Sequence, residues 1–371
     1  MKKRTLIVTL EYPPQIGGVA SYVYNLAKNL PADSTIVYAP VVGGAEEFDA
    51  KNPWKTIRQK PYFLFFWPKW LRLFFQIRKI VKKEKIEQLY VHHALPVGYV
   101  AYLISKIRKI PYCIFFHGTD LALGLRKKPL LKKVCEGAER ICVNSAFMKQ
   151  KFVSLFEKMS QKIFIVYPSP DVIFFQKYPE AELKKLKSQL ALEGKKVVIT
   201  VSRMAEGKGY PHLIRLMPKI LEKVPNIAWV VIGDGPKKRT VIELIQKNYL
   251  QNVTRFLGEV PYDELPKYYQ VADLFVLLTH PDETAEEGWG TVFVEAAASG
   301  LPVVAGRAGG VEEAVQNLQT GLIVDVYQDQ SIVAAITDLL RETEYAKKMG
   351  QAGAERAARE FNWQKQLARL L

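Results

Sequence analysis

The sequence predicts an α/β protein with two doubly wound, Rossmann-like parallel sheets, each in its own domain. Three observations predict it. The chain has 371 residues, more than one ordinary core organises. Short apolar runs recur in both halves, several of them closed by a glycine or proline turn and followed by a helical pattern. Apolar residues make up 49% of the chain, enough to cover both faces of two sheets.

Leu6–Leu10 reads as the first buried strand. Tyr12-Pro13-Pro14 breaks it, and Gly17-Gly18 opens a helix at Val19–Leu30. The two glycines let backbone N–H groups approach a ligand, and a tight turn alone accounts for them equally well.

Residues 51–85 hold eleven Lys+Arg and one acid, Glu84, interleaved with aromatics. At about 100° per residue, Trp67, Trp70, Leu71, Phe74, Ile77 and Val81 fall on one helix face. Lys69, Arg72, Gln76, Lys79 and Lys83 fall on the other, with Arg78 and Lys82 intruding. Two readings stand. The helix lies on an anionic membrane interface, or its aromatic face is core and its basic face is solvated.

Gln88–Val91 is a short strand followed by His92-His93, which lack the carboxylate or cysteine company of a metal site. Ala94–Ile107 reads as a helix. Tyr112–Phe116 is a strand ending in His117-Gly118-Thr119-Asp120, and a polar residue there lies where open α/β sheets bind ligands. Arg140–Asn144 and Ile163–Tyr167 complete the first half, with Ser145 as a helix N-cap. The linker begins at Pro168-Ser169-Pro170-Asp171.

The second sheet starts at Val197–Val201. Ser202-Arg203 and Gly207-Lys208-Gly209 follow, ahead of a helix at Tyr210–Val224. An arginine and a lysine on one glycine turn can clamp a diphosphate from two sides. The spacing is not that of a Walker A loop. Ala228–Ile232 ends in Gly233-Asp234-Gly235-Pro236. Strand Val253–Leu257, helix Glu264–Val271 and strand Leu274–Leu278 lead to the stretch on which the functional argument turns, Ala285–Gly310.

There Gly288 and Gly290 turn the chain just before a helix at Thr291–Ser299, and Gly300 and Pro302 stop it ahead of strand Val303–Ala305. Free N–H groups and a positive dipole end make the helix start a phosphate seat. Glu287 and Glu295 bracket it. Carboxylates accept from vicinal diols, so the pair suits a diphosphate with a hydroxyl-rich group on each side, which describes a nucleotide sugar. Helix Val311–Gln316, strand Gly321–Val324, a helix near Gln330–Glu342 and a helical segment Gln351–Leu371 follow.

Composition narrows the function. Three cysteines without a C-x-x-C argue against a disulfide framework or a zinc site, and a reducing cytoplasm suits them. The apolar part of the amino-terminal segment, Thr5–Leu10, is short for a signal peptide, and no apolar run is long enough to cross a membrane. Residues 1–180 hold 29 Lys+Arg against 13 Asp+Glu, whereas residues 181–371 hold 24 of each, so the net +16 belongs to one half. That half should seek an anionic partner. No helix-turn-helix or RNA-reading motif supports a nucleic acid.

The E-x7-E of Glu287 and Glu295, the following A-x-x-S-G-x-P-V-V-A and the G-G-x-x-E-A-V turn from Gly309 resemble the retaining glycosyltransferases of family 4. Within that family the sequence most resembles the phosphatidylinositol-mannoside mannosyltransferases. The H-G-x-D at His117, the S-R-x-x-x-x-K-G from Ser202 to Gly209 and the G-x-G-P at Gly233 add to the resemblance. Pro170 departs from it, because many members carry a glycine there.

The resemblance implies a GT-B fold with two Rossmann-like domains facing a central cleft. The implied domains are residues 1–172 for the acceptor and 173–350 for the nucleotide sugar. A terminal helix, 351–371, would cross back through Phe361, Trp363 and Leu367. The implied donor site contains Gly17, Gly18, Ser202, Gly233, Gly288, Gly290, Thr291 and Val292. Arg255 and Phe256 lie where family members bind the base by backbone. His117 would contact the donor sugar, Arg203 and Lys208 the diphosphate, Glu287 the 3- and 4-hydroxyls of the sugar, and Glu295 the ribose. The D-x-D of metal-dependent transferases is absent, so no metal and no other cofactor is expected. Retention would proceed by front-face departure and attack. GDP-mannose is the first-choice donor, and a phosphoinositol lipid or related anionic glycolipid the acceptor. The enzyme would be cytoplasmic and peripheral on the inner face of the plasma membrane. A UDP-sugar transferase of surface polysaccharide or lipopolysaccharide synthesis is the alternative enzyme, and a non-catalytic membrane- or partner-binding module the alternative outside enzymes.

Overall fold

The structure is a computed structural model that describes residues 3–281 and 287–370. Ala285 and Glu286, at the start of the stretch singled out above, lie outside the described residues. The chain divides into two compact units, Met1–Tyr167 with Trp363–Leu371, and Pro168–Asn362.

The first unit is a seven-stranded sheet in which every pairing is parallel. Its strands are β1 Thr5–Val8, β2 Thr35–Ala39, β3 Lys55–Arg58, β4 Gln88–His92, β5 Tyr112–Phe116, β6 Arg140–Val143 and β7 Ile163–Ile165. Their spatial order is β3-β2-β1-β4-β5-β6-β7. Successive side chains leave opposite faces of a strand, so both faces need cover. Leu6, Val8, Leu89 and Val91 join one core with helices Leu71–Lys83 and Val97–Arg108. Ile7, Tyr90, Cys113 and Phe115 join another with helix Gly18–Lys28 and with Trp363, Leu367 and Leu370.

The second unit is a six-stranded parallel sheet with the order β10-β9-β8-β11-β12-β13. These strands are β8 Lys196–Val201, β9 Ile227–Ile232, β10 Thr254–Gly258, β11 Leu274–Leu277, β12 Val303–Gly306 and β13 Leu322–Val324. Both sheets follow the doubly wound order, in which connections reverse direction beside the first strand. That reversal leaves a crevice at the carboxyl ends of β1 and β4 in one unit and of β8 and β11 in the other.

Several elements differ from the sequence expectation. Strands β2 and β3 were not expected. The terminal helix is two helices, Thr343–Glu360 and Trp363–Ala368. Phe361, between them, packs on Trp289 in the second unit, with ring centroids 5.0 Å apart. Trp363 and Leu367 enter the core of the first unit. The unit boundaries accordingly fall at 167/168 and 362/363 rather than 172/173 and 350/351.

The helix expected from Trp67 begins at Leu71. A backbone bond from Phe63 N–H to the Lys69 carbonyl (3.1 Å) instead closes a turn ahead of it. Phe74, Ile77 and Val81 are buried in the core, each worth roughly 1.5–3 kcal/mol relative to exposure. The aromatic face of the helix is therefore core. Trp67, in the preceding turn, is 80% exposed.

Candidate functional site

In the second unit the crevice is walled by the loops after β8 and β11. Gly209 caps the helix Tyr210–Lys223 in the left-handed region, φ 69°, and a Cβ there would run into the Leu278 carbonyl. Glycine thus lets the Lys208 loop lie against the end of β11. The Gly207 carbonyl also accepts from His280 N–H at 3.0 Å, tying the same two loops. On the opposite wall Gly290, φ 78°, caps the helix Thr291–Ala298. A side chain at Gly290 would strike the Phe293 ring.

These turns bring Lys208 and Glu287 into an ion pair. Burial pushes the Glu287 carboxyl up. The Lys208 ammonium and the N–H groups of Trp289 and Gly290 outweigh burial and hold it below the usual range, so it is an anion at neutral pH. Glu287 is further fixed through its backbone, because its carbonyl accepts from Gly310 N–H at 3.0 Å. The N–H groups of Thr291 and Val292 have no acceptor among the described residues, so the helix start presents free donors and its positive dipole end. Arg203 is exposed just past β8 and forms no ion pair among the described residues. Ser202 Oγ lies 3.0 Å from the Tyr210 hydroxyl. Its carbonyl faces Gly233, where a Cβ would not fit. Ser202, Arg203, Lys208, Gly233, Glu287, Gly288, Gly290, Thr291 and Val292 thus lie on the strand-end loops and the helix start beside β8 and β11.

Glu295 stands apart. It lies on helix Thr291–Ala298 and is only 3% exposed. Burial raises its carboxyl to about 7, the hydroxyls of Tyr262 and Tyr269 oppose that, and the Asp171 carboxylate adds to it. Arg255 lies within β10 rather than at its carboxyl end. It lies at the amino end of β10, where its guanidinium donates to the carbonyls of Leu190 and Asn252, both at 2.8 Å. Phe256 packs partly buried on the core, under the Lys238 ammonium at 5.6 Å. The carboxyl end of β10 is Gly258, whose carbonyl accepts from Gly233 N–H at 2.7 Å.

Sequence reasoning missed Trp289. It is 1% exposed, and its indole N–H donates to the Pro168 carbonyl at 3.1 Å. It anchors the loop between Gly288 and Gly290 and so places Glu287. A tryptophan between two glycines was the available signal. Asp171 was also left without a role. It caps the short helix Val172–Phe175 by accepting from Ile173 N–H at 3.1 Å.

In the first unit the corresponding crevice is lined by imidazoles. His92 Nδ1 and His117 Nε2 are 2.9 Å apart. The His92 ring is fully buried and stacks on Phe115. The Tyr22 ring meets His117 edge-on at 5.0 Å. Burial depresses all three histidines, His93 to about 4, His117 to about 3 and His92 well below its usual value, so none is charged at neutral pH. Asp120 accepts from His117 N–H at 2.9 Å and holds the turn. Burial raises its own carboxyl to about 7. Gly17 caps the helix Gly18–Lys28 with extended backbone, and Gly18 is exposed with open space around it. Neither glycine is demanded by packing within this unit. Among the described residues no group of three His, Cys, Asp or Glu is arranged to hold a metal, and no helix is long and apolar enough to cross a membrane.

Comparison with known proteins gives a consistent picture. Residues 16–172 match the family described as Glycosyltransferase Family 4, and residues 182–356 the family described as Glycosyl transferases group 1. A GDP-mannose-dependent alpha-(1-6)-phosphatidylinositol monomannoside mannosyltransferase of Mycobacterium tuberculosis is 28% identical over 99% of this chain and 97% of its own. A GDP-mannose-dependent monoacylated alpha-(1-6)-phosphatidylinositol monomannoside mannosyltransferase of Corynebacterium glutamicum is 27% identical over 98% and 95%. Among solved structures, Anabaena HepE in complex with UDP and glucose superposes with a TM-score of 0.85 at 19% identity, covering 99% of this chain and 98% of that one.

Proposed function

The chain is a family 4 glycosyltransferase with the GT-B fold, and we propose that it is a retaining, metal-independent enzyme moving mannose from GDP-mannose onto a lipid-linked acceptor such as a phosphatidylinositol mannoside. The observation that carries the proposal is the Lys208–Glu287 pair beside the free N–H groups of Thr291 and Val292. Lys208, Arg203 and the helix start supply positive potential where a diphosphate leaving group gathers charge. They stand where a metal ion would otherwise act. Glu287, anionic and fixed, takes the hydroxyls of the transferred hexose. Glu295 takes the ribose. His117, neutral, donates to or accepts from the sugar. Gly17 and Gly18 face the donor phosphate and the acceptor, and Ser202, Gly233 and the Arg255–Gly258 segment serve the nucleotide, with the strand-end backbone at Gly258 the favoured contact to the base.

The curated relatives at 27–28% identity support GDP-mannose and an inositol lipid. The excess of cations in residues 1–180 supports work at an anionic membrane surface, on the cytoplasmic side. A thermal-shift series with GDP, UDP, ADP, GDP-mannose and UDP-sugars tests the donor. Ligand at about 100 times its dissociation constant adds roughly 2.7 kcal/mol. A shift with guanine compounds alone is expected. A shift with uridine compounds alone transfers the enzyme to the UDP-sugar class, and no shift with any nucleotide favours a non-catalytic module.

A further inference from the structure

His92 is a buried imidazole to which the functional reading gives no task. It is the last residue of β4, and the strand register sets it opposite Phe115 on β5. His117 comes two residues after Phe115, so its side chain leaves the same face of the sheet. The His92 ring lies flat on Phe115, with centroids 4.6 Å apart, and Tyr22 meets it edge-on at 5.9 Å. At His93 the backbone enters the left-handed region, φ 83°, and the chain leaves the sheet directly after the His92 ring. The ring is thus held on three sides.

The planes of His92 and His117 are 16° apart and their centroids 5.2 Å. That separation exceeds the 2.9 Å between His92 Nδ1 and His117 Nε2 by the sum of two ring radii. The two nitrogens therefore point at one another in line, the geometry of a single N–H···N hydrogen bond. Burial keeps both rings uncharged at neutral pH, so each carries one proton. One of the two protons lies in the bridge and the other sits on an outer nitrogen. The outer nitrogen of His92 is Nε2, which is buried and meets no partner among the described residues. An N–H there would be an orphaned buried donor, which folded proteins avoid more strictly than an orphaned acceptor. The second proton therefore belongs on Nδ1 of His117, a half-buried residue whose only ring bond among the described residues is the one to His92.

We propose that His92 is a positioning residue: by donating from Nδ1 to His117 Nε2 it holds His117 in the Nδ1–H form, so that His117 offers a hydrogen-bond donor to an oxygen of the transferred sugar. The proposal rests on the transferase reading for the sugar and deepens it at one atom. Of the two roles open to His117, donor and acceptor, His92 selects the donor. A core residue was not needed at this place, since an apolar side chain would stack on Phe115 and leave no nitrogen unpaired.

The test uses the full chain grown with ring-nitrogen-labelled histidine. The sequence holds five histidines, few enough to assign by single substitutions. Long-range proton–nitrogen spectra at neutral pH should show the proton on Nδ1 in both His92 and His117. His92→Leu should return His117 to the Nε2–H form that free imidazole favours. It should also lower kcat about tenfold, the worth of one neutral hydrogen bond, at unchanged KM for the nucleotide sugar that the thermal-shift series selects. His92→Asn, whose side-chain amide can donate from the place of Nδ1, should keep His117 in its wild-type form and restore most of the rate. An Nε2–H form of His117 in the wild type overturns the proposal, and that result needs no variant to fold. So does a rate lost equally in the Leu and Asn variants, or lost in the Leu variant while the form of His117 stays the same. Failure of the transferase reading shows elsewhere: no nucleotide shifts the melting temperature, while the spectra still report the bond between His92 and His117.

Discussion

The two sheets share one strand order through their sixth strand, yet the side chains at their corresponding ends are chemical opposites. Beside β4 and β5 stand three imidazoles, all driven neutral by burial. Beside β8 and β11 stand a lysine, an arginine and a carboxylate held ionised. The scaffold fixes where a ligand can lie, and the residues at the strand ends fix what it can be. A neutral lining suits sugar hydroxyls, whereas the charged one suits a diphosphate.

The comparison can be broken at its charged end first. Glu287→Ala should lower turnover at least about 100-fold, the scale of a lost transition-state contact. Near-normal rates in a steady-state assay with GDP-mannose and a phosphatidylinositol mannoside would remove Glu287 from the site. At the neutral end, His117→Ala should cost about tenfold, the worth of one uncharged hydrogen bond, and leave GDP affinity unchanged in calorimetry. A matching loss of GDP affinity would place the imidazole on the diphosphate.

The comparison sharpens with pH. Glu295 titrates near 7 in the folded protein, and only its ionised form accepts bidentately from a ribose diol. GDP affinity should therefore climb about tenfold between pH 6 and pH 8, and Glu295→Gln should flatten the profile. A wild-type profile that is already flat removes Glu295 from the ribose. The histidines act on stability instead. Their folded pKa values lie below the ordinary 6.5, so their contribution is complete above that pH and is lost as pH falls towards 4. Melting temperature should drop between pH 7 and pH 5, and by less in His93→Asn, which tolerates the left-handed backbone at that position. An equal drop in both proteins would clear His93 of that role. Last, EDTA should leave the rate unchanged. Activity abolished by EDTA and restored by Mn²⁺ would contradict the cation-and-dipole account.

Much of this was legible in the chain because local chemistry decides it. Gly209 and Gly290 punctuate loops that only glycine permits, and the strands they follow are apolar runs that nothing but a covered sheet explains. Strand β3 was not legible. Lys-Thr-Ile-Arg has no apolar run, and it is a strand because β2 offers an edge to pair with. The helical wheel at Leu71–Lys83 found the right stripe but could not say whether core or lipid faced it, since both reward the same periodicity. The burial of Glu295 depends on Tyr262, Tyr269 and Asp171, brought to it by tertiary packing. The place of Arg255 in its strand was not legible either, because β10 runs three residues past it, to Gly258.

Trp363, Leu367 and Leu370 fill the core beneath β1 and β4 after the chain has already built the other unit. On the ribosome, residues 168–362 can therefore reach their final form before the domain that was translated first. The amino-terminal unit stays short of one core piece, with Tyr22 lacking its partner Trp363, until that segment has been made. A premature stop codon near position 360 would then register as damage to the amino-terminal domain, and a screen for truncation suppressors should recover substitutions around Tyr22 rather than near the lesion.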